Sequence, residues 1–364
     1  MLINRRRFLQ LSGAFAGAAL LPGIGQTQER FIAAQGPWRK FDITTALKFT
    51  KPKGRAQAWI PVPAVNADDW ARALGSDWET NAKVARLDQV EASGVELVYL
   101  EWDENETAAA VQISSHAETR DRITDFTRPT KAEPLSEDDR TRFTAPVSFM
   151  PHDGWLRETA TKITENAKTD LGKAKAIYEW IVEEQSCDVS DLRTLVGGAD
   201  LVGALPHSCD YLTSLFVGLA RVSGLPAREI YGVRVAPSQF GFESLGAVPD
   251  DITAKTHSRG EVWLADYGWV PATPGDVRRV IRDEAVGGLE LTDPKAVSAR
   301  VTLFGAWEGN WVAYNMANDF VLPDGQGATV PFLNRPRVVT AEGPLGGEQT
   351  PGYNLRLAAT ELPA

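Results

Sequence analysis

The chain has 364 residues, of which 43% are hydrophobic and 24% charged, so it can bury a sizeable core and its length suggests roughly two domains. The 38 basic and 48 acidic residues give a formal net charge of -10, which disfavours a nucleic-acid partner and an anionic membrane surface. Two cysteines and four histidines are too few for a structural zinc site of several Cys and His ligands. We expect no metal and no cofactor.

The N-terminal segment has the pattern of an export signal. The basic cluster Arg5, Arg6, Arg7 precedes a weakly apolar Gly/Ala-rich run that ends near Gly25. This resembles a twin-arginine signal, and the run is shorter than the roughly 20 residues of a membrane-spanning helix. We expect residues 1–34 to be a signal peptide, with cleavage either after Gly25 or near Ala34. We expect the mature chain to be periplasmic, with no integral membrane span. A cytosolic protein with a basic start is the alternative.

Residues 35–126 are predicted to form a β-sandwich-like domain. Several short apolar or alternating runs are separated by turn residues, and no long helical period occurs among them. The stretch 127–155, rich in Pro, Asp, Arg and Thr, is interpreted as a linker.

Residues 156–285 change to a helical period and then to strands, which predicts an α+β core. Residues 171–185 carry one apolar stripe, and Leu212, Leu215, Phe216 and Leu219 form another that ends at Gly224. Strands follow at 229–235, 260–265 and 269–270. We expect residues 286–364 to be a β extension packed on this core.

Cys209 lies where a thiol becomes reactive. With Ser208 as N-cap, Cys209 would be the first residue of an amphipathic helix, where free backbone N–H groups and the helix dipole favour a thiolate. His257 opens a strand in the same predicted domain and is the candidate base. A core histidine with a purely structural role is the alternative for His257.

The residues around these two side chains resemble the bacterial transglutaminase-like family of papain-related cysteine enzymes. The resemblance rests on HSCDYLTSLFVGLARVSGLPAREIYGVRV and on HSRGEVWLADYGWVPATPGDVRRV. It implies a papain-like α+β fold with helices packed on an antiparallel sheet. It also implies Cys209 as nucleophile and His257 as proton shuttle.

The resemblance has a departure at the third catalytic position. Family members usually carry Asp two residues after the Val-Pro of Gly-Trp-Val-Pro, and here that residue is Thr273. We expect Thr273 to accept a hydrogen bond from His257 without adding negative charge; Asp276 could replace it only if the loop bends back. A second question concerns Cys209, because a disulfide with Cys187 would consume the nucleophile.

The expected function is cysteine-dependent acyl transfer on peptide or side-chain amides, as hydrolysis by a peptidase or amidase rather than as cross-linking. Its partner would be a peptide or protein amide substrate. The alternative is a catalytically inactive transglutaminase-like fold that serves as a periplasmic binding or assembly module.

Overall fold

The computed structural model describes residues 35–50, 54–90, 94–152, 154–187, 209–325, 327–345 and 352–363. The predicted signal peptide, residues 1–34, lies outside these ranges. None of the helices within the described ranges combines the length and the apolar character needed to cross a membrane.

The N-terminal part forms strands where the sequence alternates. Its strands are β1 (Arg39–Phe49), β2 (Ala56–Pro61), β3 (Ala71–Thr80), β4 (Val84–Val90), β5 (Val95–Trp102), β6 (Ala110–Thr119) and β7 (Arg122–Ile123). In β1 every second side chain is buried, from Phe41 to Phe49, as expected for a strand with one face on a core. The α+β fold class with an N-terminal sheet domain is confirmed.

The helices lie in the middle of the chain. They are α1 (Glu137–Thr144), α2 (Gly154–Thr164), α3 (Asp170–Glu184), α4 (Asp210–Val222), α5 (Pro274–Asp283) and α6 (Pro294–Thr302). The strands between and after them are β8 (Ala227–Arg234), β9 (Thr256–Leu264), β10 (Gly268–Pro271), β11 (Ala306–Trp307), β12 (Trp311–Asn315), β13 (Phe320–Val321) and β14 (Thr329–Val330).

The second domain is a helical layer on an antiparallel sheet of order β10-β9-β8-β12. Helix α4 is buried on nearly all sides, because its apolar residues meet both the sheet and the neighbouring helices. It ends before Gly224, whose φ of +83° belongs to the left-handed region that favours glycine. The helix and strand pattern predicted for this domain is present.

The C-terminal strands differ from the expectation that residues 286–364 extend the second domain. They are β15 (Arg337–Thr340), β16 (Gly343–Leu345) and β17 (Tyr353–Leu362). Among the described strands after residue 286, β12 alone joins the sheet of the second domain, whereas β17 pairs with β1 and β15 pairs with β2. The two sheets that contain the N-terminal strands therefore have the orders β17-β1-β6-β3 and β16-β15-β2-β5-β4. An alternating pattern predicts a strand but not the sheet that it joins, because the backbone groups at the open edge of any sheet can pair with it.

The predicted linker 127–155 also differs, because it contains helix α1 and the start of α2. The side chain of Phe143 in α1 is buried, and its ring packs edge-on against Trp269 at a centroid distance of 5.0 Å. This segment is thus part of the packed second domain.

Candidate active site

Cys209 lies at the N-terminus of α4. It is the N-cap residue with φ of -61° and ψ of -18°, and its side chain is fully buried. The structure thus shifts the helix by one residue from the prediction, while Ser208 and His207 lie outside the described ranges. Helix α5 begins beside it, since a Cβ at Gly275 would collide with the carbonyl oxygen of Cys209. The N-termini of α4 and α5 therefore meet at the backbone of Cys209.

Cys209 is joined to Cys187 in a disulfide. Their Cα atoms are 4.5 Å apart, and 22 residues separate them in sequence. The structure thus has the disulfide that the sequence left as the alternative to a free thiol. The reason is that α3 and α4 pack together, which brings the segment after α3 to the start of α4. In this state the sulfur of Cys209 cannot act as a nucleophile.

His257 is the second residue of β9 and is 1% exposed. Its Nδ1 atom is 2.6 Å from Oδ1 of Asp210, the residue after Cys209. Its Nε2 atom is 2.9 Å from Oδ1 of Asp276 in the first turn of α5. The imidazole therefore lies between two carboxylates, each supplied by the start of a helix.

Each of these carboxylates has an arginine partner as well. Arg279 Nη2 is 3.0 Å from Oδ1 of Asp210, and Arg234 Nη2 is 2.5 Å from Oδ1 of Asp276. Burial alone would raise the pKa of both aspartates, but nearby positive charge outweighs it and holds both pKa values below the usual range. Both groups are thus carboxylates at neutral pH and can orient the ring.

Thr273 lies close by with other partners. Its Oγ1 atom accepts hydrogen bonds from the backbone N–H of Gly260, at 3.3 Å, and from Nε1–H of Trp307, at 3.1 Å. The contact expected between Thr273 and His257 is made by Asp276 instead. The hydrogen bond from Gly260 to Thr273 connects β9 with the turn before α5. The first turn of α5 then places Asp276 beside the imidazole of His257.

The sequence interpretation missed Asp210 entirely and treated Asp276 only as a substitute. The available signal for Asp210 was its place directly after the candidate nucleophile, in a first helical turn where carboxylates are favoured. Within the described ranges, no group of three or more His, Cys, Asp or Glu side chains is arranged to hold a metal ion.

A family model for the transglutaminase-like superfamily matches residues 157–274. This part of the chain is a transglutaminase-like domain. The matched segment contains Cys209, His257 and Thr273 and ends two residues before Asp276. The resemblance on which the sequence interpretation was based is confirmed.

Similarity to individual proteins extends beyond the transglutaminase-like domain. An uncharacterized protein of Haemophilus influenzae is 28% identical over 311 residues, covering 78% of this chain and 80% of that protein. A candidate cysteine protease from Cytophaga hutchinsonii has a structure with TM-score 0.48 and 16% identity, covering 90% of this chain and 99% of that one. The periplasmic domain of TgpA from Pseudomonas aeruginosa gives TM-score 0.29 and 13% identity, covering 62% and 88%.

Proposed function

We propose that the protein is an exported cysteine-dependent acyl-transfer enzyme that acts on peptide or side-chain amides. Hydrolysis is the expected outcome rather than cross-linking. The observation that carries this proposal is the position of His257, which is held by two carboxylates beside the start of α4, where Cys209 lies. The competent form is the one in which Cys209 is released from Cys187.

The roles of the groups follow from their positions. At the N-terminus of α4 the helix dipole and free N–H groups favour a thiolate on Cys209, and the same N–H groups suit a developing oxyanion. Nδ1 of His257 faces this helix start, because its partner Asp210 is the next residue. In the reduced enzyme, Nδ1 of His257 contacts Sγ of Cys209 in place of the Asp210 carboxylate and takes the thiol proton. His257 then transfers this proton to the leaving amine.

Asp276 takes the positioning role that the family pattern places at Thr273. Its carboxylate contacts Nε2 of His257, fixes the orientation of the ring and stabilises the imidazolium. Thr273 then contributes through the turn that delivers Asp276. Water resolves the thioester in the hydrolytic reaction, and an amine would resolve it in cross-linking.

An exported, periplasmic location is part of the proposal. Its support is the twin-arginine-like segment Arg5–Arg7 in the sequence and the disulfide in the structure, because disulfides persist in oxidising compartments.

A second candidate function is a binding or assembly module without catalysis. Two observations favour it: Cys209 is consumed in the disulfide, and both ring nitrogens of His257 contact carboxylates. In that case the polar cluster would only stabilise the transglutaminase-like domain. The two candidates differ in what a free Cys209 does.

The experiment compares the oxidised wild type, the wild type reduced with dithiothreitol, Cys187→Ser and Cys209→Ser. Each is incubated with a peptide digest of casein, with and without a dansylated alkylamine, and the products are read by mass spectrometry. We expect cleavage or deamidation by Cys187→Ser and by the reduced wild type, and none by Cys209→Ser. Dansyl incorporation in place of hydrolysis would reassign the reaction to cross-linking. No product from a folded Cys187→Ser would favour the module.

A further inference from the structure

We propose that Cys187 is the sulfur at which a dithiol reductant attacks the Cys187–Cys209 disulfide, so that Cys209 leaves as a thiolate. The disulfide then blocks the nucleophile Cys209 reversibly. That release of Cys209 activates an enzyme rests on the proposed function. Which sulfur is attacked and which sulfur leaves is argued from the structure around the two cysteines.

The two cysteines differ in exposure. Cys209 is fully buried beneath the start of α4, whereas Cys187 is half-buried and packs at the margin of the helical core. Thiol–disulfide exchange requires a thiolate to approach one sulfur along the line of the S–S bond. Because Cys187 is the more exposed of the two residues, we infer that its sulfur is the one that a reductant reaches.

They also differ as leaving groups. Cys187 follows the C-terminus of α3 by three residues, after Glu183 and Glu184, where the negative end of the helix dipole disfavours a thiolate. Cys209 lies at the N-terminus of α4, where the positive end of the dipole favours one. Because a thiol of lower pKa leaves faster, the S–S bond breaks more readily with its electron pair on Cys209.

The exchange balances with a dithiol as the only co-reactant. Its first thiolate bonds to Sγ of Cys187, and the electron pair of the old S–S bond goes to Sγ of Cys209. The second thiol of the reductant then loses its proton and attacks its own mixed disulfide, and Cys187 leaves and takes up that proton. The protein disulfide is reduced by two electrons, and the dithiol becomes a disulfide.

A monothiol traps the first step. The oxidised wild-type protein is treated briefly with glutathione, quenched with acid, alkylated with N-ethylmaleimide at low pH and mapped by peptide mass spectrometry. We expect glutathione on Cys187 and the alkyl group on Cys209, in about tenfold excess over the reverse pattern. The same reaction in urea is the matched control, since unfolding removes the helix termini and should remove the preference.

Three results would overturn the proposal: glutathione on Cys209, an equal distribution in the folded protein, or resistance of the folded protein to glutathione while the urea control reacts. None of these readouts needs a substrate. A directional exchange in a protein that turns over no amide would therefore refute the proposed function alone, and an active enzyme with exchange at Cys209 would refute this inference alone.

Discussion

Oδ1 of Asp276 lies 2.9 Å from Nε2 of His257, although the family pattern places the partner of the catalytic histidine at Thr273. The first turn of α5 provides this contact, and the buried guanidinium of Arg234 donates to the same Oδ1 atom of Asp276. Asp276 thus supplies the negative charge beside His257 that the hydroxyl of Thr273 could not supply.

The first prediction concerns this carboxylate. Asp276→Asn keeps the shape of the side chain but removes the charge that orients and stabilises an imidazolium on His257. We expect kcat of the reduced enzyme to fall by about a hundredfold or more. The measurement is kcat from steady-state hydrolysis by protein reduced with dithiothreitol, with circular dichroism to show that the variant is folded.

Thr273→Val is the comparison for that prediction. It leaves the donors Gly260 N–H and Trp307 Nε1–H without their acceptor, which costs about 1–3 kcal/mol of folding free energy. We therefore expect its melting temperature to fall while the loss of kcat stays far smaller than in Asp276→Asn. The reverse order of the two kcat values would return the positioning role to Thr273.

The sequence predicted the elements that carry the site because their signals are local. The apolar repeat of α4 and its stop at Gly224 located the helix, and the family motif located Cys209 and His257. No short sequence pattern predicts where the first turn of α5 places the side chain of Asp276. The contact between Asp276 and His257 therefore could not be predicted without the fold.

Two further features depended on long-range contacts. The choice between a free Cys209 and a bond to Cys187 depends on whether α3 and α4 pack with those ends together. The pairing of β17 with β1 joins residues about three hundred positions apart, and alternation within β17 fits any open sheet edge. Local sequence patterns could not decide either feature.

The second prediction concerns the stability that the disulfide adds. In the chain-entropy description, a cross-link that closes a loop of this length stabilises the folded state by about 3 kcal/mol. We expect Cys187→Ser to lower the free energy of unfolding in urea by about that amount. The reduced wild type should match the variant. Equal unfolding midpoints of the variant and the oxidised wild type would show that the bond adds no stability.

The third prediction uses Glu229, a buried acid on β8 that accepts a hydrogen bond from Ser214 at 2.8 Å. Burial raises the pKa of Glu229 to about 7. A raised pKa favours the folded state below the unfolded value, near pH 4.5, and this contribution is lost as pH rises to about 7.

The change in the free energy of unfolding caused by Glu229→Gln should therefore be more favourable at pH 8 than at pH 5, by on the order of 2 kcal/mol. Urea unfolding at both pH values measures this difference. The exposed Glu79→Gln on β3 is the control, and we expect its effect to be the same at both pH values. An equal effect of Glu229→Gln at pH 5 and pH 8 would show that Glu229 is ionised in the folded protein at both.

The fourth prediction concerns a buried charged cluster on β9, the strand that also carries His257. Glu261 on β9 is fully buried and pairs with Arg122 of β7 and Arg228 of β8. Burial alone would raise the pKa of Glu261, but the two guanidinium groups outweigh it and lower the pKa. Its contribution to stability is therefore present above the unfolded pKa and is lost as pH falls.

Glu261→Gln removes the carboxylate partner of the largely buried Arg228 and one of two carboxylates near Arg122, whose Nε also lies 3.8 Å from Oδ2 of Asp69. We expect a loss of about 3–5 kcal/mol at neutral pH. The surface pair Arg72–Glu118 provides the control, because Glu118→Gln should cost less than about 1 kcal/mol. Thermal and urea unfolding of both variants give the comparison. Similar losses in the two variants would mean that burial does not distinguish the pairs.

The central claim is that Cys209, once freed, is an activated nucleophile facing His257. The most direct measurement is the alkylation rate of Cys187→Ser with iodoacetamide as a function of pH, repeated with His257→Ala added. We predict rapid reaction well below pH 8.5, the approximate reference pKa of a free thiol, and a shift of the profile toward that value without His257. A rate that rises only near pH 8.5 and does not respond to His257→Ala would contradict the claim.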